Sequence, residues 1–377
     1  MNDYHIAAYY FPNYHEDSRN NVWHGNGWTE WSLLKAATPR YPGHQQPKVP
    51  LWGYEDEADP AVMAKKIKAA ADHGLEAFVF DWYWYDDGPF LHRALEEGFL
   101  KAPNCRDLQF SIMWANHNWV EIQPAIRAEC PVRKYGMVDE ETFFKAADHM
   151  INHYFCQPNY WRIDGKLYLS FYEPYRLVQG LGGLENTKRV LDIFRQKVRE
   201  KGLGELHLNA VVFGIQILPG ETAIQKPEEM LTYLGLDSTT SYVWAHYAPI
   251  NDFPVTDYET VRQAAKTANA EFAQRYPVPY FPNVTMGWDP SPRTIQTDRF
   301  DHLGYPYCPT LGGNTPDAFK KALQDAKDYL DVAPDAQNTL FINAWNEWTE
   351  GSYLEPDTSN GFGYLQAIRD VFNVFKT

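Results

Sequence analysis

Short runs of β-branched and aromatic residues alternate with segments of helical periodicity along almost the whole chain, and this alternation limits the choice of fold. Eight such runs occur, at residues 5–10, 76–84, 109–114, 166–172, 206–214, 238–244, 280–287 and 339–345. Their continuous apolar character is typical of strands buried on both faces of a parallel sheet. We therefore predict eight parallel strands.

The segments between these runs carry start and stop signals of helices. Asp59 and Pro60 are residue types preferred at the N-cap and first position, and Gly74 ends that segment. Helices are predicted over residues 59–74, 89–100, 141–154, 191–202, 228–234, 258–276, 315–330 and 364–375.

Strands that alternate with helices in this way predict an α/β protein. The fold expected is a single (β/α)8 TIM barrel domain over residues 1–377, with a long aromatic-rich loop after strand 1. A doubly wound open sheet is the main alternative. Its GxGxxG fingerprint does not follow the first strand.

Charge and composition exclude several classes of partner. The chain has 34 Lys and Arg against 49 Asp and Glu, a net charge of −15, which gives no general attraction to nucleic acid or to an anionic membrane. The hydrophobic share of 44% is too high for a disordered chain. No apolar run approaches the ~18 residues of a membrane span. A neutral glycan is the partner that this charge disfavours least.

Cysteine spacing bears on metal binding and compartment. Four scattered cysteines form no CxxC pair and no zinc-ribbon spacing, and residues 1–5 lack the basic and apolar regions of a secretory signal. We therefore expect a cytosolic protein without a bound metal. The cysteines are Cys105, Cys130, Cys156 and Cys308.

Aromatic, amide and carboxylate side chains cluster where the predicted strands end. In a barrel these positions form the active face. Aromatic rings can stack on the C–H faces of a sugar while polar groups pair with its hydroxyls. The long first loop, residues 12–59, adds further residues of both kinds. The residues predicted to line a sugar pocket are Tyr10, Trp28, Glu30, Asp81, Tyr83, Asn116, His117, Glu173, Trp244, His246, Trp288 and Asn346.

Glu347 and Glu350, at the end of the last strand, are the candidate catalytic pair. Glycoside hydrolysis uses two carboxyl groups, one as acid and one as base or nucleophile. Flanking tryptophans would desolvate the pair and raise one pKa. Side chains three apart point to opposite faces of a regular strand, so both can reach one pocket only if the strand ends near Asn346 and the chain turns, which Gly351 favours. An ordinary surface ExxE is the alternative interpretation.

Several stretches resemble the WbsX-type proteins, which are described as glycoside hydrolase family 99-like. They are Gly27-Trp28-Thr29-Glu30-Trp31, Trp114-Ala115-Asn116-His117-Asn118-Trp119, Arg162-Ile163-Asp164-Gly165-Lys166, and Asn343-Ala344-Trp345-Asn346-Glu347-Trp348-Thr349-Glu350-Gly351 followed by Leu354-Glu355-Pro356. The resemblance extends from about residue 9 to residue 357.

The resemblance implies a barrel that acts on carbohydrate without metal or cofactor. By likeness to the retaining endo-acting α-mannosidases of family 99, Glu347 would deprotonate the sugar's own 2-hydroxyl, which attacks the anomeric carbon to give a 1,2-anhydro intermediate. Glu350 would protonate the leaving oxygen and then activate water. One departure concerns His117, which stands where WbsX-type sequences commonly have Glu.

Three functions are consistent with these observations. The first is a retaining glycoside hydrolase acting on an α-mannoside-like or related glycan. WbsX-type proteins are often labelled glycosyltransferases of surface polysaccharide synthesis, so a transferase is the second. That function predicts a diphosphate site with an acidic metal-binding pair or an Arg/Lys cluster, and the sequence shows no obvious one. The third is a non-catalytic carbohydrate-binding barrel.

Overall fold

A computed structural model describes residues 4–127, 130–224 and 226–372, and within these ranges the eight expected strands form one closed parallel ring. Each strand pairs in parallel with the next, and the last pairs with the first. The (β/α)8 barrel is confirmed. Its strands are β1 (His5–Tyr10), β2 (Ala77–Tyr85), β3 (Gln109–Trp114), β4 (Lys166–Phe171), β5 (Leu206–Val211), β6 (Ser238–Thr240), β7 (Tyr280–Phe281 and Asn283–Thr285) and β8 (Thr339–Asn343).

Pro282 divides β7 into two segments, and this division closes the barrel. Thr239 of β6 is in register with Tyr280 of the first segment, and Asn283 of the second is in register with Phe341 of β8. Proline has no N–H to donate to a ladder, but its carbonyl accepts a bond from the Phe341 N–H at 3.0 Å. The seventh strand therefore pairs with both neighbours.

The alternation of side chains along β1 separates the barrel interior from the helical layer. Tyr9 points inward, where its ring centroid lies 4.7 Å from that of Tyr242 and 5.5 Å from that of Phe341. Tyr10 points outward, and its ring lies 4.5 Å from that of Phe80. Both tyrosines are fully buried. Burial of side chains of this size contributes ~1.5–3 kcal/mol each to the stability of the barrel.

Helices cover the outside of the ring, and the N-cap predicted at Asp59 is present. The Asp59 side chain accepts from the Ala61 N–H at 2.8 Å, and Thr315 caps the helix that begins at Pro316. The helices are α1 (Ser18–His24), α2 (Trp31–Ala36), α3 (Pro60–Asp72), α4 (Glu140–His149), α5 (Pro174–Gly180), α6 (Leu184–Glu200), α7 (Glu228–Leu234), α8 (Tyr258–Arg275), α9 (Pro316–Val332) and α10 (Gly363–Val371).

Shorter elements build the loops. The π-helical turns are Ala94–Phe99 and Met150–Tyr154, and the 3-10 turns are Cys105–Asp107, Trp244–His246, Ser291–Arg293, Pro334–Ala336 and Trp348–Glu350. The ribbons pair Gly88–Phe90 with β2, Trp119–Val120 with Val132–Lys134, Arg162–Ile163 with β4, Val255–Asp257 with Thr310–Gly312, and Asn346–Glu347 with Ser352–Tyr353.

Some predicted boundaries are wrong. The run 238–244 leaves the ladder at Thr240, and the helix predicted over 89–100 begins as a strand, because Gly88–Phe90 turns back onto β2. Helices α1, α2 and α5 were not predicted. Residues 373–375, the end of the helix predicted over 364–375, lie outside the described residues. Within the described ranges, no helix combines the length and apolar character required to cross a membrane.

Candidate active site

A cavity lies at the carboxyl ends of the strands, where TIM barrels carry their active sites. Residues that follow seven of the eight strands reach it. Its aromatic and polar lining includes Phe11, Asp81, Tyr83, His117, Tyr172, Tyr242, His246, Trp288, Arg293, Glu347 and Glu350. The outer wall is more apolar and includes Trp119, Val120, Ile122, Ile217 and Leu218.

The chain turns between Glu347 and Glu350 so that both side chains face this cavity. After β8 ends at Asn343, a 3-10 turn over Trp348–Glu350 replaces the extended conformation. Gly351 closes the turn with φ +65°, and a Cβ there would lie 2.7 Å from Cβ of Asp289. Only glycine fits both the left-handed backbone and this close approach. The turn that the sequence required for a paired site is therefore present.

One guanidinium group connects the two candidate catalytic carboxylates. Arg293 donates from Nη1 to Oε1 of Glu350 at 2.5 Å, and its Nη2 lies 3.4 Å from Oε2 of Glu347. Its Nε donates to Glu30 at 2.7 Å. One guanidinium group therefore holds both carboxyl groups at the same wall of the cavity.

The two carboxyl groups have different further partners. Glu350 accepts a hydrogen bond from the Tyr305 hydroxyl at 2.6 Å, whereas Oε1 of Glu347 lies 3.0 Å from the Tyr242 hydroxyl. Burial, and then the charge of Glu350, raise the pKa of Glu347 well above its usual range, while Arg293 opposes the rise. Glu347 therefore binds a proton more tightly than a solvent-exposed glutamate does.

Glu30 and Asn346 support the pair from below the cavity. Glu30 is fully buried and accepts from Asn13 at 2.6 Å as well as from Arg293 and the Thr349 hydroxyl. The Asn346 side chain bonds the backbone N–H and carbonyl of Phe11 at 2.8 and 2.7 Å. These contacts fix the loop after β8 to the loop after β1.

His117 presents a hydrogen-bond acceptor to the cavity. Its Nδ1 lies 2.9 Å from the carbonyl oxygen of Asn118, which only accepts, so Nδ1 carries the proton and Nε2 keeps its lone pair. Burial lowers the pKa of His117 from its usual value, which favours this neutral form. The ring packs edge-on against Tyr83 and Tyr172, with centroids 5.7 and 5.4 Å away.

Seven of the residues named from the sequence line the cavity and seven do not. Those that line it are Asp81, Tyr83, His117, His246, Trp288, Glu347 and Glu350. Those placed elsewhere are Tyr10, Trp28, Glu30, Asn116, Glu173, Trp244 and Asn346.

The contacts of the second group explain their positions. Tyr10 faces the helical layer, and Trp28 stacks on His24 in the first loop with ring centroids 4.2 Å apart. Trp244 donates its indole N–H to the Asn283 carbonyl at 3.0 Å. Asn116 bonds the backbone of Glu173, whose carboxylate accepts from Arg176 at 3.0 Å.

Arg293, Tyr242 and Tyr305 were not predicted from the sequence. Tyr242 lies within the predicted sixth strand, so a tyrosine at a strand end was a detectable signal for it. Arg293 and Tyr305 lie in the long segment after β7, and no local pattern marks them. In the described residues, no group of three or more His, Cys, Asp or Glu side chains is arranged to hold a metal ion.

The closed ring of eight parallel strands defines a TIM barrel, a fold that the chain shares with solved glycoside hydrolases. A "glycoside hydrolase-like protein" superposes with a TM-score of 0.60 at 16% identity, covering 100% of this chain and 95% of the other. The GH99 endo-α-mannosidase from Bacteroides thetaiotaomicron superposes with a TM-score of 0.55 at 14% identity, covering 99% and 96%. At these identities the likeness establishes the fold.

The family is established by sequence. The family model described as "Glycosyltransferase WbsX" matches residues 6–368, and the chain belongs to this family. It is 29% identical over 370 residues to the "Uncharacterized protein WxcX" of two Xanthomonas campestris pv. campestris strains, B100 and ATCC 33913, covering 97% of this chain and 49% of each relative. The chain thus spans about half the length of the curated relatives it matches.

Proposed function

We propose that the chain is a retaining glycoside hydrolase that acts on an α-mannoside-like or related glycan. The observation that carries the proposal is that Glu347 and Glu350 face one cavity and contact one guanidinium group. Paired carboxyl groups held in this way are the machinery of glycoside hydrolysis. The fold shared with the Bacteroides endo-α-mannosidase supports the substrate class.

The contacts support different roles for the two glutamates. Glu347, whose pKa is raised by burial, acts as the base that takes the proton of the sugar's 2-hydroxyl, which then attacks the anomeric carbon. Glu350 acts as the acid for the leaving oxygen and afterwards as the base for water. Arg293 and Tyr305 stabilise the carboxylate that Glu350 becomes once it has given up its proton.

A glycosyltransferase is the second candidate function, because the family carries that description. A sugar nucleotide would bring a diphosphate into the cavity, and diphosphates are bound by cationic side chains or metal ions. Of the described residues that line the cavity, Arg293 is the one Arg or Lys, and its three nitrogens already face Glu30, Glu347 and Glu350. This arrangement favours a neutral glycan.

A hydrolysis screen tests the proposal. Wild type, Glu347→Gln and Glu350→Gln are incubated with bacterial and fungal oligosaccharides, beside the exposed control Glu185→Gln on α6. We expect a glycan that wild type and the control cleave and that both cavity variants leave intact. No cleavage, combined with sugar-nucleotide binding in calorimetry, would support the transferase. Binding of a glycan without turnover in any protein would support a carbohydrate-binding barrel.

The cytosolic location expected from the cysteine pattern is part of the proposal. Four cysteines are unpaired in the described residues, as is typical of proteins in a reducing compartment. Fractionation of the native host with an antibody against the barrel tests this location, and recovery outside the cytosol would contradict it.

A further inference from the structure

Tyr242 lies between two carboxyl groups but has one hydroxyl proton. Its Oη is 2.8 Å from Oδ2 of Asp81 and 3.0 Å from Oε1 of Glu347, and both distances are those of hydrogen bonds. An ionised carboxylate can only accept. Both contacts can therefore be hydrogen bonds only if one of the two carboxyl groups is itself protonated and donates to the Tyr242 oxygen.

Glu347 has a cation beside it and Asp81 does not. Oε2 of Glu347 lies 3.4 Å from Nη2 of Arg293. Among the described residues, no Lys, Arg or His nitrogen lies within ion-pair distance of Asp81, and its Oδ1 is buried without a hydrogen-bond partner. The titratable groups that interact with Asp81 are the carboxyl groups of Glu350 and Glu347 and the hydroxyl groups of Tyr242, Tyr9 and Tyr83.

The charges of the cavity also favour a neutral Asp81. Arg293 supplies one positive charge, and Glu30, Glu347 and Glu350 already contact it. An ionised Asp81 would have no cation of its own, and in a residue that is 4% exposed this charge would be strongly unfavourable. Burial accordingly raises the pKa of Asp81 well above its usual range, although the Tyr242 bond opposes the rise.

We propose that Asp81 is a neutral carboxylic acid in the resting protein and that its O–H group donates to Tyr242, so that Tyr242 donates its only proton to Glu347. Asp81 is then a positioning residue that acts on Glu347 through Tyr242. The role of Glu347 as a base rests on the proposed function, whereas the protonation state of Asp81 does not.

Infrared spectroscopy of the protein without substrate tests the protonation directly. A protonated carboxyl group gives a carbonyl-stretch band well separated from the bands of carboxylates. Labelling with [4-13C]aspartate shifts such a band only if an aspartate carries it. We expect a label-sensitive band at neutral pH that is lost in Asp81→Asn. The matched control is Asp289→Asn, a buried aspartate whose pKa is lowered by bonds from His44 and others that outweigh its burial, and which should leave the band unchanged.

Two infrared results would overturn the proposal. One is the lack of a label-sensitive band in wild type at neutral pH. The other is a protonated-carboxyl band that persists in Asp81→Asn and disappears in Glu347→Gln, which would place the proton on Glu347. In Tyr242→Phe the Asp81 band should remain and move to higher frequency, because its O–H group loses its acceptor.

Titration of Glu347 by 13C NMR tests whether Tyr242 donates its hydrogen bond to Glu347. Loss of a hydrogen bond to a carboxylate disfavours its charged form, so Tyr242→Phe should raise the pKa of Glu347 by roughly one to two units. Asp81→Asn, whose amide can still donate to Tyr242, should change that pKa much less. An unchanged pKa in Tyr242→Phe would show that Tyr242 does not donate to Glu347. Neither measurement needs a substrate, so a failed hydrolysis screen would leave this proposal intact.

Discussion

The Nη1 atom of Arg293 lies 2.5 Å from Oε1 of Glu350, and the same guanidinium group reaches Glu30 with Nε and Glu347 with Nη2. These four side chains come from the loops after β1, β7 and β8. Arg293 therefore joins three loops in addition to placing the two candidate catalytic groups opposite each other. It is 3% exposed, so the charges interact where water screens them little.

Removal of this cation should be costly to stability. In Arg293→Met three carboxyl groups lose their shared partner, and we expect a loss of ~3–5 kcal/mol in the free energy of unfolding at pH 7, measured by urea denaturation. The control Arg199→Met breaks an exposed pair with Glu205 and should cost ~1 kcal/mol or less.

The loss in Arg293→Met should also depend on pH. Arg293 lowers the pKa of Glu347, so in its absence the folded-state pKa rises further above the unfolded value. The folded variant then binds more protons than the unfolded chain, and its stability falls as the pH rises. We expect a smaller deficit at pH 5 than at pH 8. A deficit independent of pH would contradict this account of the cluster.

The leaving group should reveal the role of Glu350. An acid matters most when the departing oxygen is a poor leaving group that needs a proton. Glu350→Gln should therefore abolish turnover of natural glycans and spare activated aryl glycosides more, as measured by kcat/KM on both substrates. Equal losses on the two substrates would contradict the assignment, and a selective loss in Glu347→Gln instead would reverse the two roles.

Features that depend on local sequence could be predicted. The eight strands follow from compact β-branched and aromatic runs, whose burial on both faces leaves a recognisable pattern. The turn that brings Glu347 and Glu350 to one cavity follows from the glycine at 351, because few other residues adopt a left-handed backbone there. In both cases the residues that determine the strand or the turn lie within a few positions of it in the sequence.

Features that depend on where a strand ends could not be predicted from the sequence. A regular sixth strand over 238–244 would put Trp244 at the cavity. In the structure β6 ends at Thr240, and a 3-10 turn over Trp244–His246 sends Trp244 outward while Tyr242 lines the cavity. The contact of Arg293 with Glu30 is still harder to predict, because the two residues are 263 positions apart and only the closed barrel brings them together.

Glu173 should make stability fall as the pH rises towards neutrality. Burial raises its pKa from the usual value near 4.5 to about 7, although Arg176 opposes the rise. The folded-state pKa of Glu173 exceeds the unfolded value. Its contribution to the free energy of unfolding is therefore complete below about pH 4.5 and is lost as the pH approaches 7. Each unit of difference between the two pKa values corresponds to ~1.4 kcal/mol, so the free energy of unfolding falls by about 3 kcal/mol over this range.

A neutral replacement should remove this pH dependence. Glu173→Gln mimics the protonated side chain, so it should match wild type near pH 4.5 and exceed its stability by up to about 3 kcal/mol at pH 8. Urea denaturation across this range, with Glu185→Gln as the exposed control, measures the difference. Wild type and Glu173→Gln curves that run parallel at all pH values would show that Glu173 is ionised throughout.

A buried ionic triad supports the loop after β8 that carries Glu347 and Glu350. Lys66 of α3 is fully buried, and its Nζ lies 2.6 Å from Glu57 and 2.9 Å from Glu355. Glu57 accepts from the Asn346 amide at 2.8 Å, and Glu355 accepts from the Trp348 indole at 2.9 Å. The two residues that flank Glu347 are therefore held by carboxyl groups that share one lysine.

Lys66→Met should therefore affect both stability and turnover. It leaves two buried carboxylates without a cation, which should cost ~3–5 kcal/mol in the free energy of unfolding. Because Asn346 and Trp348 then lose their fixed acceptors, we expect kcat to fall more than KM changes.

The adjacent Lys65→Met, which breaks a half-exposed pair with Glu55, is the matched control and should cost ~1 kcal/mol or less. Adding Glu57→Gln to Lys66→Met removes one uncompensated charge and should recover part of the stability. A Lys66→Met variant as stable as Lys65→Met, with unchanged kcat, would show that the triad does not support the loop after β8.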